Sequence, residues 1–236
     1  MRNDGRANDE TRKIKFTVDY TKNALASVLA EFGDTKVIVT ATNDDKKPKW
    51  MDKEDSRGWI TAEYSLLPTS TSTRCQRERS KVSGRTQEIQ RLIGRALRSC
   101  VDLTKLGDRT IIIDADVIQA DGGTRCASIC GGYVALSLAI NRMIKDGKLE
   151  ESPILEPIAA VSAGIHDGEV ILDLNYEEDS SAQVDSNAVM TKSGKVIEFQ
   201  TTAEGDPYDI EKMNQIVDLS KNAIQKIISL YPNTEA

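Results

Sequence analysis

The sequence predicts an α+β fold in which two similar αβ halves pack as one domain. Three observations point there. Short β-branched runs alternate with longer segments whose apolar residues recur at helical spacing. A strand, glycine turn, strand pattern at Ser27–Ala41 returns at Ala160–Leu174. The 236 residues, 39% hydrophobic and 29% charged, suffice for a sizeable core and are too apolar for a disordered chain. The halves fall at about residues 10–150 and 155–232.

Residues 13–44 read as two strands and a turn. Ser27 to Phe32 leads into Gly33-Asp34-Thr35, and Lys36 to Ala41 leads out. Residues 43–57 are polar and charged, which predicts a mobile loop. Gly58 to Glu63 reads as a short strand, and Leu66 to Ser83 as a long basic loop. A helix follows, because Ile89, Leu92, Ile93, Ala96, Leu97, Cys100 and Val101 keep to one face, opposite Arg91, Arg95 and Arg98. Thr110 to Ile118 is a strand, and an apolar helix runs from beyond Thr124 to about Ile144. Gly131-Gly132 inside that helix weakens it and predicts close packing against a neighbour.

In the second half, Ala160–Ile165 and Val170–Leu174 flank the turn Asp167-Gly168-Glu169. Further strands lie near Ala188–Thr191 and Lys195–Thr201. A closing helix from about Asp209 to Leu230 has Ile210, Met213, Ile216, Val217, Ser220, Ile224, Ile227 and Ile228 on its inner face.

Composition removes several classes of function. No apolar run reaches the ~18 residues of a membrane span, and the N-terminus lacks the apolar core of a secretory signal, so a cytoplasmic protein with no membrane partner is expected. Cys75, Cys100, Cys126 and Cys130 form no C-x-x-C pair and read as reduced, mainly buried thiols. His166 is the single histidine, which excludes mechanisms that need two; Gly164-Ile165-His166-Asp167-Gly168 places it at a hairpin turn.

The charge is unevenly spread. Arg74, Arg77, Arg79, Lys81, Arg85, Arg91, Arg95 and Arg98 face only Glu78 and Glu88 within a chain of net charge −6. From Asp173 to Asp185 the sign reverses, with Asp173, Glu177, Glu178, Asp179 and Asp185 and no Lys or Arg. Such segregation suits a phosphate-rich ligand and a divalent cation.

Asp121-Gly122-Gly123-Thr124-Arg125 follows a strand and opens a helix. Paired glycines allow close backbone approach, the helix start offers free N–H groups, and Thr124 and Arg125 add donors, which together suit an oxyanion. A plain turn with an N-cap would carry the same residues. Arg85, in Ser83-Gly84-Arg85-Thr86, would serve as a second arm of that site; a solvated arginine at a helix start is the alternative. Asp179 and Asp185, six apart across small residues, can converge on Mg²⁺, although an acidic surface loop would look alike. An anion site, a metal site and a polycation segment favour chemistry at a phosphodiester. Without a usable histidine, a nucleophile already anionic at neutral pH, such as inorganic phosphate, fits best.

At this point the chain resembles the RNase PH family in its bacterial form. The resemblance rests on Gly58-Trp59-Ile60-Thr61-Ala62-Glu63-Tyr64, continuing to Leu67-Pro68, and on Gly84-Arg85-Thr86-Gln87-Glu88-Ile89-Gln90-Arg91-Leu92-Ile93. It rests equally on Asp116 to Arg125, on Glu178-Asp179-Ser180-Ser181-Ala182 and on Asp185-Ser186-Asn187, all in the family's order. The chain departs from the family at Thr69 and Ser83, and between Asn43 and Ser56 it is more charged.

The resemblance implies two βαβα-type halves and a homohexameric ring built as a trimer of dimers. It implies phosphorolytic 3′→5′ removal of nucleotides from tRNA precursors and possible action on other structured RNA, with inorganic phosphate as co-substrate and Mg²⁺ or Mn²⁺ as metal. Nucleotide addition is the reverse reaction. On the matching positions, Arg85, Gly123, Thr124 and Arg125 would hold phosphate, Asp179 and Asp185 would be catalytic and hold the metal, and Arg74 and Arg77 would meet tRNA and neighbouring subunits. The competing readings are a catalytically silent RNA-binding ring subunit, a hydrolytic metal-dependent nuclease and an archaeal-type exosome catalytic subunit.

Overall fold

The first half builds a five-stranded sheet in the order β1-β2-β3-β5-β4. The computed structural model describes residues 2–52 and 54–233. β1 (Ile14–Val18), β2 (Ala26–Phe32) and β3 (Thr35–Asp44) form an antiparallel meander, turned at Gly33, whose φ is 58°. β4 (Trp59–Leu66) lies at the sheet edge, parallel to β5 (Thr110–Gln119). Parallel neighbours need a crossover, and α1 (Gly84–Ser99) supplies it. Along β5, Ile111, Ile113, Ala115 and Val117 are buried, while Asp114 and Asp116 point to the other face, as the two-residue period of a strand requires.

α2 (Thr124–Lys145) follows β5 directly. It packs on β2 and β3 of the first sheet, on β6 of the second and on α1, so it lies between the halves. Its length and apolarity would allow it to cross a membrane, but most of it is buried inside the fold as a core helix. The glycine pair explains how it fits. A Cβ at Gly131 would lie 2.9 Å from a Val39 methyl and 3.0 Å from Ala30 Cβ, so only glycine lets α2 approach the sheet this closely.

The second half forms a four-stranded antiparallel sheet in the order β7-β6-β8-β9. Its elements are β6 (Ile158–His166), β7 (Glu169–Leu172), α3 (Tyr176–Ser181), β8 (Val184–Thr191), β9 (Val196–Ala203) and α4 (Ile210–Ser229). β6 is buried over nearly its whole length because α2 and α4 both pack against it. Each half therefore runs strands, helix, strand, helix, as expected, and one continuous apolar cluster includes Phe32 and Ile113 of the first half and Ile158 and Ile224 of the second.

Four details differ from expectation. Residues 13–44 hold three strands, because Ile14, Phe16 and Val18 alternate with polar neighbours and pair with β2. β3 continues through Asn43 and Asp44, which pair with Ile111 and Thr110, so the charged loop begins later than its composition suggested. The acidic stretch holds a six-residue helix, α3, which the spacing of its acids across small residues does not predict. Ile210 is exposed, since burial on α4 begins only at Ile216.

Candidate active site

The turn between β5 and α2 is fixed by glycine geometry. Gly122 and Gly123 have φ of 72° and 66°, a left-handed pair that other residues adopt only under strain. A Cβ on Gly122 would lie 2.5 Å from the Leu174 carbonyl oxygen. Thr35 staples the turn from below: its Oγ1 accepts from the Asp121 N–H at 2.9 Å and donates to the Gly122 carbonyl at 2.6 Å. α2 then starts with no side-chain cap and no acid in its first turn. Its first N–H groups and the positive end of its dipole remain available to an anion. Thr124 is buried and its hydroxyl is hydrogen-bonded to Tyr64 Oη at 2.9 Å. Burial pushes the Tyr64 phenol up, so it stays neutral at physiological pH.

Two arginines flank this turn. Arg125 lies in the first turn of α2, with Nη2 3.9 Å from a Glu88 carboxylate oxygen. Arg85 lies in the first turn of α1, whose N-cap Ser83 accepts from the Thr86 N–H at 3.2 Å, and it is exposed. The second half supplies the acids. Asn175 and Glu178 form a capping box that starts α3, and Asp179 follows; Asp185 is the second residue of β8.

Burial raises the Asp179 carboxyl, against the pull of Arg125, Arg85 and Arg12; its solvent-exposed side limits that desolvation. Asp185 is raised by burial first and by the charge of Asp179 second. Two carboxylates that disfavour each other's charge suit a shared cation. Among the described residues no group of three or more His, Cys, Asp and Glu is placed to hold a metal; Asp179 and Asp185 offer two oxygen donors, a set that could hold Mg²⁺ only together with water and phosphate.

Arg85, Gly123, Thr124, Arg125, Asp179 and Asp185 all line one cleft of about 160 Å³. Arg74 and Arg77 do not; they are exposed on the loop leaving its rim, and the charge of Arg77 opposes, without reversing, the rise that burial gives the Asp116 carboxyl. His166 ends β6 away from the cleft, with Nε2 3.2 Å from Ser181 Oγ.

Two further acids of the same segment have another task. Glu178 takes two hydrogen bonds from Arg2, at 2.7 and 2.6 Å, and the pair is almost wholly buried. Asp173, at φ 51°, is held by Arg12. The acidic segment as a whole is therefore no cation site: its charge is divided between the cleft and a buried clasp formed with the N-terminal arm.

Sequence reading missed this arm, and also Ser162, Tyr176 and Asn187 on the cleft wall. Little in the sequence marks the arm, because Arg2, Arg6 and Arg12 alternate with Asp4, Asp9 and Glu10 and the stretch carries no net charge. Ser162 pairs with Asn187 across β6 and β8, and its buried Oγ has no hydrogen-bond partner among the described residues.

Comparison with known proteins gives consistent results. The family model described as "3' exoribonuclease family, domain 1" matches residues 10–140, and "3' exoribonuclease family, domain 2" matches residues 156–223. A protein named Ribonuclease PH from Crocosphaera subtropica is 50% identical over 230 residues, spanning 98% of this chain and 95% of the relative. Among solved structures, the Archaeoglobus fulgidus exosome with RNA bound to the active site superposes with a TM-score of 0.81 at 24% identity, covering 98% of this chain and 92% of that one. Rice (Oryza sativa) Rrp46 superposes with a TM-score of 0.80 at 21% identity over 100% of both chains. At such identities the two structures attest the fold.

Proposed function

The chain belongs to the RNase PH family of 3′ exoribonucleases, and from that premise we propose that its cleft removes 3′-terminal nucleotides from tRNA precursors by phosphorolysis. The observation that carries this reading is the meeting of three donors, Arg85, Thr124 and Arg125, with two acids, Asp179 and Asp185, in one cleft built by both halves.

Inorganic phosphate sits at the start of α2, where the N–H groups of the Gly122-Gly123 turn and of the first helical turn, with the Thr124 hydroxyl, donate to its oxygens. Arg85 and Arg125 hold it from either side and offset the charge that builds as two anions approach. A phosphate oxygen attacks the phosphorus of the last phosphodiester. The new P–O bond forms as the bond to the penultimate 3′-oxygen breaks. The products are a nucleoside 5′-diphosphate and an RNA one residue shorter, whose 3′-oxygen takes a proton. With raised carboxyls, Asp179 or Asp185 suits delivery of that proton. Mg²⁺ or Mn²⁺ held by this pair would stabilise charge on the leaving oxygen. Run backward, the same contacts add nucleotides, which makes the enzyme a tRNA nucleotidyltransferase.

Arg74 and Arg77 belong to this reading as contacts for the body of the tRNA or for a neighbouring subunit of a cytoplasmic homohexameric ring; their exposure outside the cleft supports that division of labour. The test is a product assay on a short 3′-tailed tRNA with Mg²⁺, with and without phosphate. Nucleoside diphosphates that appear only with phosphate are expected. Monophosphates in both buffers would mean hydrolysis, and no product in either would leave a silent RNA-binding subunit.

A further inference from the structure

Arg12 is not on the cleft wall, yet its guanidinium lies directly behind the phosphate-binding turn. Its side chain is 5% exposed. Nε and Nη2 donate to the Asp173 carboxylate at 3.1 and 2.7 Å, and the Arg12 backbone N–H donates to the same carboxylate at 2.7 Å. Nη1 also donates to the Asp121 carbonyl, and Nη2 reaches the Gly122 carbonyl at 3.4 Å. A Cβ on Gly123 would lie 3.0 Å from Nη2, so the turn is seated on the guanidinium.

The consequence follows from peptide geometry. In a trans peptide the C=O and the next N–H point in opposite directions. Drawing the Asp121 and Gly122 carbonyls onto Arg12 turns the N–H groups of Gly122 and Gly123 away from the buried pair, toward the cleft that both glycines line. Resting on the phosphorolytic reading above, we propose that Arg12, anchored by Asp173, is a positioning residue that aims the Gly122 and Gly123 amides at the bound phosphate.

The competing account is a generic ion pair tying the arm to the second half. Arg2 provides the contrast. It makes an equally buried two-bond pair with Glu178 and donates to the Leu172 carbonyl at 2.7 Å and the Asp173 carbonyl at 3.1 Å, but touches no atom of the Asp121–Thr124 turn. Lysine in place of either arginine keeps a cation beside the acid. Its single ammonium cannot span a carboxylate and two carbonyls as the planar fork does. Thr35→Val gives a third variant, uncharged, that frees the Gly122 carbonyl, and so the Gly122–Gly123 peptide unit that Arg12 also holds, together with the Asp121 N–H of the Ala120–Asp121 unit.

The experiment measures melting temperature, kcat and phosphate KM on the 3′-tailed tRNA, together with calorimetric titration of inorganic phosphate into protein alone. Arg12→Lys and Arg2→Lys should lose comparable thermal stability. Arg12→Lys and Thr35→Val should raise phosphate KM by about tenfold, the scale of one lost contact to a charged ligand, with weaker calorimetric binding to match. Arg2→Lys should leave phosphate KM within about twofold, far below one such contact. An unchanged phosphate KM in both Arg12→Lys and Thr35→Val overturns the proposal, as does an equal rise in Arg2→Lys. If the parent releases nucleotides without phosphate, the reaction assignment fails instead, and calorimetry separates the cases by reporting phosphate binding directly.

Discussion

Arg85 and Asp185 test the division of the cleft into an anion half and a metal half. Arg85 is exposed, so its loss should act on the ligand more than on packing. Arg85→Ala is expected to raise phosphate KM and slow phosphorolysis by well over tenfold, since a charge-assisted contact is worth about 1.5–3 kcal/mol. Unchanged phosphate dependence in steady-state assays would remove Arg85 from the site. Asp185→Asn keeps the shape of a side chain walled by Asn187 and Asp179 but removes its charge. Turnover should disappear while gel-shift binding of tRNA stays near normal; near-normal activity would contradict the assignment. The Asp121–Arg125 turn was legible because its chemistry is local: glycines, a hydroxyl and a guanidinium in five consecutive positions at a helix start. Arg12 was not, because its meaning lies in Asp173, 161 positions away, and in carbonyls that carry no sequence signature.

α3 shows the same limit one level up. Six residues rich in acid and serine have no apolar period, so their pattern predicts no helix. Yet Asn175 and Glu178 stand at capping-box spacing, and the structure uses both arms of it: the Glu178 N–H donates to Asn175 Oδ1 at 3.0 Å, and the Asn175 N–H donates to Glu178 Oε2 at 3.0 Å. Arg2 then grips the same Glu178 from the N-terminal arm. A helix this short cannot persist without such ends. Asp179 stands one position beyond the clamped glutamate, and on the proposed reading the capped helix is what presents it to the cleft. Asn175→Ala is therefore expected to destabilise the fold by about 1 kcal/mol, a drop of about 2–4 °C in melting temperature. It should reduce kcat at saturating phosphate far more than this modest loss of folded protein implies. A melting shift with kcat unchanged would mean that Asp179 holds its place without the cap.

Across the whole molecule, the two-half pattern was visible because the glycine hairpin repeats, whereas the seating of α2 between two sheets depends on contacts no local window contains. That packing brings carboxyls of opposite behaviour into one segment. Glu178 is held low: burial raises it, but the hydrogen bonds and charge of Arg2 outweigh burial. Its stabilising contribution is complete above the ordinary carboxylate range and is lost as pH falls through its lowered folded value. Asp179 and Asp185 are raised, so at neutral pH their charged forms reduce stability, and the reduction is relieved as pH falls through their raised values. A cation bound only by the folded state relieves it too, and adds stability that grows with concentration above its Kd. Mg²⁺ should therefore raise the melting temperature near neutral pH, and the increment should shrink as pH falls and the pair protonates. Asp185→Asn should abolish the increment and, without Mg²⁺, melt above the parent, because a residue kept for its charge is removed from a place that disfavours charge. Equal melting temperatures with and without Mg²⁺ at neutral pH would count against Asp179 and Asp185 as a metal pair, independently of any activity measurement.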